Sequence, residues 1–222
     1  MTTGAVVLAA GHGRRFGGDV SKQFVPLAGR PVVTHSVDAL IDHPAVDDVW
    51  VVGSVDELQR LREATSDRAG RYLTGGAQRT DSTRAAVAAA DGVFDLLLVH
   101  DAARPLLDAT VITRVVQALS TADAVATAVP VADTIVEVEA GRHVQTLDRS
   151  RLRALQTPQG FRTTVLADAY RRSKGEQFTD DVSFVAATVP GVVTAMVAGD
   201  PALHKLTTPQ DLAVLEAWLT GR

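Results

Sequence analysis

Runs of consecutive apolar residues alternate along this chain with stretches whose apolar positions recur every three or four residues. The first pattern is that of strands buried on both faces, the second that of helices with one inward stripe. Ala5–Ala9, Val49–Val52, Leu96–His100 and Ala124–Val129 read as buried strands, and Arg71–Thr74 as a shorter one running into Gly75-Gly76. Between them, Val33, Val37, Leu40 and Ile41 share a helical face behind Pro31, which suits a helix start. Asp56–Arg68 reads as the next helix. Thr80 or Asp81 can cap an alanine-rich helix reaching Ala90, and Asp108 can cap one that turns Ile112, Val115, Val116 and Leu119 inward. This alternation predicts an α/β fold with a mostly parallel sheet covered on both faces.

The pattern changes between Pro130 and Leu155. Thr134–Glu139 alternates, with Val136 and Val138 opposite Glu137 and Glu139; Ala140-Gly141-Arg142 makes a turn, and His143–Leu147 returns. Such a hairpin is too short to own a core and must pack on something, a partner subunit being a natural candidate. The α/β pattern then resumes with a helix at Thr163–Arg172 and a strand at Val192–Val197. Thr208-Pro209-Gln210-Asp211 opens a last helix with Leu212, Leu215 and Leu219 inward.

Composition narrows the classes of function. At 222 residues and 46% hydrophobic, the chain can bury a sizeable core as one domain, with or without an appendage. A net charge of −4 argues against a general nucleic-acid or membrane-surface binder, and the absence of cysteine excludes disulfides and thiolate metal sites. No apolar stretch approaches the roughly 20 residues of a membrane span, and no basic leader precedes the first strand. The expectation is a cytoplasmic protein. Of 22 cationic residues only Lys22, Lys174 and Lys205 are lysines.

Three loops leaving strand ends carry unusual chemistry, and such ends are where open α/β sheets bind ligands. Leu8-Ala9-Ala10-Gly11-His12-Gly13-Arg14-Arg15-Phe16, with Lys22 six residues on, joins small residues to cations. That suits a nucleoside triphosphate, although the glycines alone fit an ordinary tight turn equally well. It is neither the dinucleotide fingerprint, since Phe16 stands where the third glycine belongs, nor a P-loop. That absence argues against a hydride-transferring Rossmann enzyme. His100-Asp101-Ala102-Ala103-Arg104-Pro105 offers Asp101 as a ligand for Mg²⁺, although taken alone a helix cap or a salt bridge with Arg104 is the more ordinary use. Gly75–Ser82 leaves room for a flat base, or is simply a strand exit and helix cap. Lys205 precedes the last helix, where a solvated lysine is also ordinary. Lys174 reads as a charged helix end.

Taken together these segments, with Pro130-Val131-Ala132-Asp133-Thr134, Gln156-Thr157-Pro158-Gln159 and Thr179-Asp180-Asp181, resemble the 2-C-methyl-D-erythritol 4-phosphate cytidylyltransferases from about Val6 to Leu219. Each motif is modest alone, but seven in order are specific. The resemblance implies a Rossmann-like nucleotidyltransferase fold spanning residues 1–222. It also implies a protruding β-arm at about 131–155, a homodimer joined through that arm, and cytidylyl transfer from CTP to 2-C-methyl-D-erythritol 4-phosphate with Mg²⁺, releasing pyrophosphate. It places Ala10, Gly11 and Gly13 against the nucleotide, Arg15 and Lys22 on the triphosphate, and Gly76 and Ser82 at the base. Ala102 and Arg104 would border the nucleotide, and Asp101 would help hold the metal. Lys205, Thr157, Thr179 and Thr207 match the sugar-phosphate side, while Thr134 and Arg149 would complete the partner's site. Ala77 departs from the acidic residue of some members, so no side-chain base contact is expected there. Two other readings remain: a cytidylyltransferase for another polyol phosphate such as ribitol 5-phosphate, and a non-catalytic nucleotide-binding domain.

Overall fold

The computed structural model describes residues 1–11, 21–173, 175 and 178–221. Gly13, Arg14, Arg15 and Lys174 therefore lie outside the described residues. In chain order the elements are β1 Thr3–Leu8, β2 Pro26–Leu27, β3 Arg30–Pro31, α1 Val32–Ile41, β4 Asp48–Gly53, α2 Leu58–Ala64, β5 Arg71–Thr74, α3 Arg79–Ala90, β6 Leu96–Asp101 and α4 Ala109–Ala118. There follow β7 Ala124–Pro130, β8 Val136–Glu139, β9 Arg142–Thr146, β10 Arg153–Arg162, α5 Thr163–Arg172, α6 Asp181–Thr188, β11 Thr194–Ala198 and α7 Gln210–Thr220.

Seven strands form one sheet in the order β11-β7-β10-β6-β1-β4-β5. Every pairing is parallel except those of β10, which runs antiparallel between β6 and β7. The period-two alternation of each strand divides the core between the two faces. Ala5, Val7, Val49, Val51, Leu96 and Leu98 meet α1 and α4 on one side. Val6, Trp50, Val52, Leu97, Val99 and Phe161 meet α3, α5 and α6 on the other. A third cluster, Leu27, Val32, Ala103, Leu106, Leu206 and Leu215, seats the chain's last segment on the loop after β6. Of the inward stripes the periodicity predicts for α1, α4 and α7, Val33, Val37, Leu40, Ile112, Val115, Leu119 and Leu215 are fully or nearly fully buried, while Ile41, Val116, Leu212 and Leu219 are half-buried against the same clusters.

Three boundaries differ from expectation. Residues Val55–Glu57 form a 3₁₀ turn, and α2 stops at Ala64 because Ser66 and Asp67 both adopt positive φ of 52°, incompatible with continued right-handed helix. Helix α3 starts at Arg79, and its first turn is closed by Asp81, whose carboxylate reaches back to the Gln78 N–H at 3.2 Å. Strand β10 and helix α6 have no counterpart in the sequence reading. Strand β10 carries Pro158 and polar residues, and its pairing with β7 shifts register between Gln156 and Gly160. Strands β8 and β9 form a separate two-stranded sheet, exposed along its whole length, as the alternation predicts. Among the described residues no helix is long and apolar enough to cross a membrane.

Candidate active site

The carboxyl ends of β1 and β6 lie side by side, with Leu8 opposite Asp101, and open into a cavity of about 530 Å³. Asp101 is buried, and its main-chain N–H donates to Thr157 Oγ1 on β10 at 3.0 Å. Thr157 in turn donates to His100 Nδ1 at 3.1 Å, because His100 Nε2 must carry the proton it gives to the Arg104 carbonyl at 3.1 Å. Burial pushes the His100 pKa down to about 4, so the imidazole is neutral and holds this tautomer. Consecutive residues of one strand are thus locked from behind while the Asp101 carboxylate faces the cavity.

Cations surround that carboxylate. Lys205 Nζ donates to one oxygen at 2.6 Å and Arg79 Nε to the other at 3.3 Å. Burial alone would raise the pKa of Asp101, but Arg79, Lys205 and Arg104 outweigh it and hold the group well below the usual carboxylate range. Arg79 spans two acids, its second contact being Asp181 at 2.6 Å. Burial pulls the guanidinium down, yet the two carboxylates more than reverse this and keep it charged. Burial raises the pKa of Asp181 despite Arg79. Gln159 fixes the start of α6 by accepting from the N–H groups of Asp181 and Val182 at 3.0 and 3.2 Å.

The segment carrying Lys205 is sewn down from both sides. Leu206 N–H donates to the Ala103 carbonyl at 2.8 Å, and Lys22 Nζ donates to the Leu206 carbonyl at 3.1 Å. Asp211 on α7 accepts from Thr207 and Thr208 N–H at 2.8 and 2.7 Å and pairs with His204 at 2.7 Å. Arg104 spends its terminal nitrogens on the carbonyls of Leu203 and Leu155, at 2.6 and 3.4 Å. Its Nε is buried with no hydrogen-bond partner among the described residues.

Of the residues expected at the site, Ala10, Gly11, Lys22, Gly76, Ser82, Asp101, Ala102 and Lys205 line the 530 Å³ cavity. Thr157, Thr179 and Arg104 line an adjoining space of about 280 Å³ that shares Asp101, Arg79 and Lys205 with the first. Arg104 and Thr207 line a third, of about 500 Å³, again with Lys205. Arg104 therefore stands with Thr157, Thr179 and Thr207 and not in the first cavity. Thr134 and Arg149 are exposed on the hairpin segment and border none of these spaces in their own chain; Arg149 donates to the Ala132 carbonyl.

The glycines play unequal parts. A Cβ on Gly76 would stand 2.3 Å from the Asp81 Cβ, and one on Gly75 would stand 2.6 Å from Ser82 Oγ, so packing alone demands both. A Cβ on Gly11 would meet no described atom within 4 Å, so among the described residues no packing contact demands this glycine. The sequence reading missed Arg79, Asp181 and Gln159 as site-forming groups. Only the clustering of Arg79 near Gly75-Gly76 and of Asp181 in an acidic pair hinted at them.

Comparison with known proteins bears on the same surface. The family model for 2-C-methyl-D-erythritol 4-phosphate cytidylyltransferase matches residues 3–221. The enzyme of that name from Thermobifida fusca is 42% identical, covering 97% of this chain and 92% of its own. That from Saccharopolyspora erythraea is 43% identical, covering 99% and 100%. A crystal structure of the Thermus thermophilus enzyme superposes with a TM-score of 0.80 at 31% identity, over 97% of this chain and 98% of that one. With a family match over residues 3–221 laid over a Rossmann-like sheet whose strand ends bring Arg79 and Lys205 onto one carboxylate, the chain belongs to the 2-C-methyl-D-erythritol 4-phosphate cytidylyltransferase family.

Proposed function

We propose that this protein transfers the cytidylyl group of CTP to 2-C-methyl-D-erythritol 4-phosphate. The products are 4-diphosphocytidyl-2-C-methyl-D-erythritol and pyrophosphate. The observation that carries the reading is the sharing of Asp101, Arg79 and Lys205 between two adjoining cavities, one bordered by glycines and the other by Thr157 and Thr179. Two anions meet across that shared wall. An oxygen of the acceptor phosphate attacks the α-phosphorus in line, the bond to the bridging oxygen breaks, and pyrophosphate leaves with the electron pair. A phosphate monoester is already a nucleophile at neutral pH, so no general base is needed. The rate must then come from positioning and from charge matched to the transition state.

Ala10 and Gly11 lie against the nucleotide, Gly76 and Ser82 border the base, and Lys22 serves the triphosphate. Lys205 bridges to the incoming phosphate, beside Thr157, Thr179 and Thr207. For Arg15 on the triphosphate and Gly13 against the nucleotide, both outside the described residues, the resemblance alone supports the assignment. The family uses a divalent cation, and the residues fit one. The described residues contain no group of three or more acidic or histidine side chains that would cage a metal. Asp101 offers a single ionised carboxylate at a strand end, which suits Mg²⁺ held largely by phosphate oxygens and water. Bound there, the cation would neutralise phosphate charge. Lys205 must then release Asp101 and turn to the phosphates, a movement within reach of a flexible four-carbon stem.

The chain acts as one nucleotidyltransferase unit whose arm, residues 131–155, reaches a second copy in a homodimer, where Thr134 and Arg149 complete the partner's site. The test is pyrophosphate release from CTP with Mg²⁺, comparing 2-C-methyl-D-erythritol 4-phosphate with ribitol 5-phosphate. Preference for the first is expected. Preference for the second reassigns the acceptor, and tight CTP binding without release from either supports a non-catalytic domain.

A further inference from the structure

Residues Ser21–Phe24 flank Lys22, and a side chain from a different crossover holds them. Glu57 closes the 3₁₀ turn between β4 and α2. One of its carboxylate oxygens accepts from Ser21 Oγ. The other accepts from Gln23 Nε2 at 2.9 Å and from Ser54 Oγ at 3.0 Å. Ser21 and Gln23 are the two sequence neighbours of Lys22, so one carboxylate grips the chain on both sides of the lysine. Gln23 is 2% exposed, and a buried amide needs such a partner. Three residues beyond Glu57, Arg60 stacks over Phe24 at 4.1 Å and adds a second tie between the same two segments.

We propose that Glu57 is a positioning residue for the transfer reaction, fixing the backbone at Ser21–Gln23 and through it the place of the Lys22 ammonium. This rests on the reading of Lys22 as a triphosphate residue. A lysine side chain is a flexible stem with a point charge at its end, so its aim depends on where its Cα is held. Hydrogen bonds are directional, and those from Ser21 and Gln23 onto one side chain fix the chain on both sides of the lysine. A misplacement of about 1 Å in a catalytic group can cost about 10²-fold in rate.

The test is steady-state kinetics on the full-length protein for Lys22→Ala, Glu57→Ala, the double variant and Glu57→Gln, with thermal unfolding measured for each. Glu57→Ala is expected to lower kcat/KM for CTP by about 10–100-fold while leaving KM for the acceptor within about threefold. Glu57→Gln should stay within about threefold of wild type, because its oxygen can accept from Gln23 and Ser54 while its NH₂ donates to Ser21. In the Lys22→Ala background, Glu57→Ala should add less than about a threefold loss, since a residue that acts through Lys22 has nothing left to position. A loss that multiplies in full on top of Lys22→Ala, or a fully active Glu57→Ala enzyme, overturns the proposal. Near-wild-type turnover in Lys22→Ala alone removes the lysine from the mechanism and the proposal with it, a failure visible in that single variant. Should Glu57→Ala not fold, Ser21→Ala at a half-buried position replaces it, with a smaller loss expected that is again absorbed by Lys22→Ala and an additive loss or none refuting the idea.

Discussion

Replacing Lys205 with alanine removes the one side chain among the described residues that borders all three cavities of the site. Its ammonium sits 2.6 Å from a carboxylate oxygen of Asp101, and the lysine side chain is 37% exposed against 11% for the aspartate. At such a partly solvated position an effective dielectric of about 20–40 applies, so a unit charge about 4 Å from a phosphate oxygen contributes about 2–4 kcal/mol. That agrees with the roughly 10²–10³-fold loss seen when one donor to a developing oxyanion is removed. Stability should hardly change, since an ion pair with that much exposure is worth about 0–1 kcal/mol, or a few degrees in Tm for a chain of this size. Arg79 remains beside Asp101, so the carboxylate stays ionised. The assay is pyrophosphate release with each substrate varied in turn, beside a thermal melt. The expected outcome is a drop in kcat/KM of about 10²–10³-fold for both substrates with Tm nearly unchanged, and partial recovery in Lys205→Arg, which restores charge but not shape. Near-wild-type turnover in a folded Lys205→Ala protein would refute the two-anion reading of the shared wall.

Gly11→Ala should leave Tm unchanged, because its Cβ meets no described atom, yet raise KM for CTP roughly tenfold, or about 1.4 kcal/mol. Gly76→Ala should instead cost about 1–3 kcal/mol of stability through its 2.3 Å encounter with Asp81, read as a lower urea midpoint. His100 is held neutral by burial, with a pKa of about 4 against an ordinary 6.5, so below pH 6.5 the unfolded chain binds the extra proton. Its contribution is complete above the unfolded pKa and is lost as pH falls toward the folded one: the metal-free protein should lose about 2 kcal/mol between pH 7 and pH 5, and His100→Gln should flatten that slope. Finally, inactive Lys205→Ala and Arg149→Ala proteins, dissociated and mixed, should regain roughly a quarter of wild-type activity, because half the dimers then carry one complete site. No recovery on mixing would place the arm in its own subunit's site.

The parts of this structure that sequence exposes are those governed by local periodicity. The parallel strands and the stripes of α1, α4 and α7 follow from spacing alone, and the β8–β9 hairpin from its alternation. Strand β10 escapes because Gln156, Thr157 and Gln159 face a site and Pro158 argues against an interior strand. Its polar side chains are buried because each finds a specific partner, as Gln159 does on the N–H groups of α6 and Thr157 on Asp101. The cationic loop residues and Asp101 stand out as motifs. The ion pair of Arg79 with Asp181 joins positions 102 apart in the chain, and no local pattern announces it. Glu57 is hidden for the same reason: nothing in Val55-Asp56-Glu57 shows that the carboxylate faces Ser21 and Gln23 across 36 and 34 residues.

The central claim is that both phosphates react directly with one another in a single cationic site, with no enzyme-bound cytidylyl intermediate. The stereochemical course at phosphorus reports on this most directly. With a single diastereomer of CTP carrying sulfur on the α-phosphorus and 2-C-methyl-D-erythritol 4-phosphate as acceptor, one in-line displacement predicts inversion of configuration in the product. Retention would mean two successive displacements and would contradict the account.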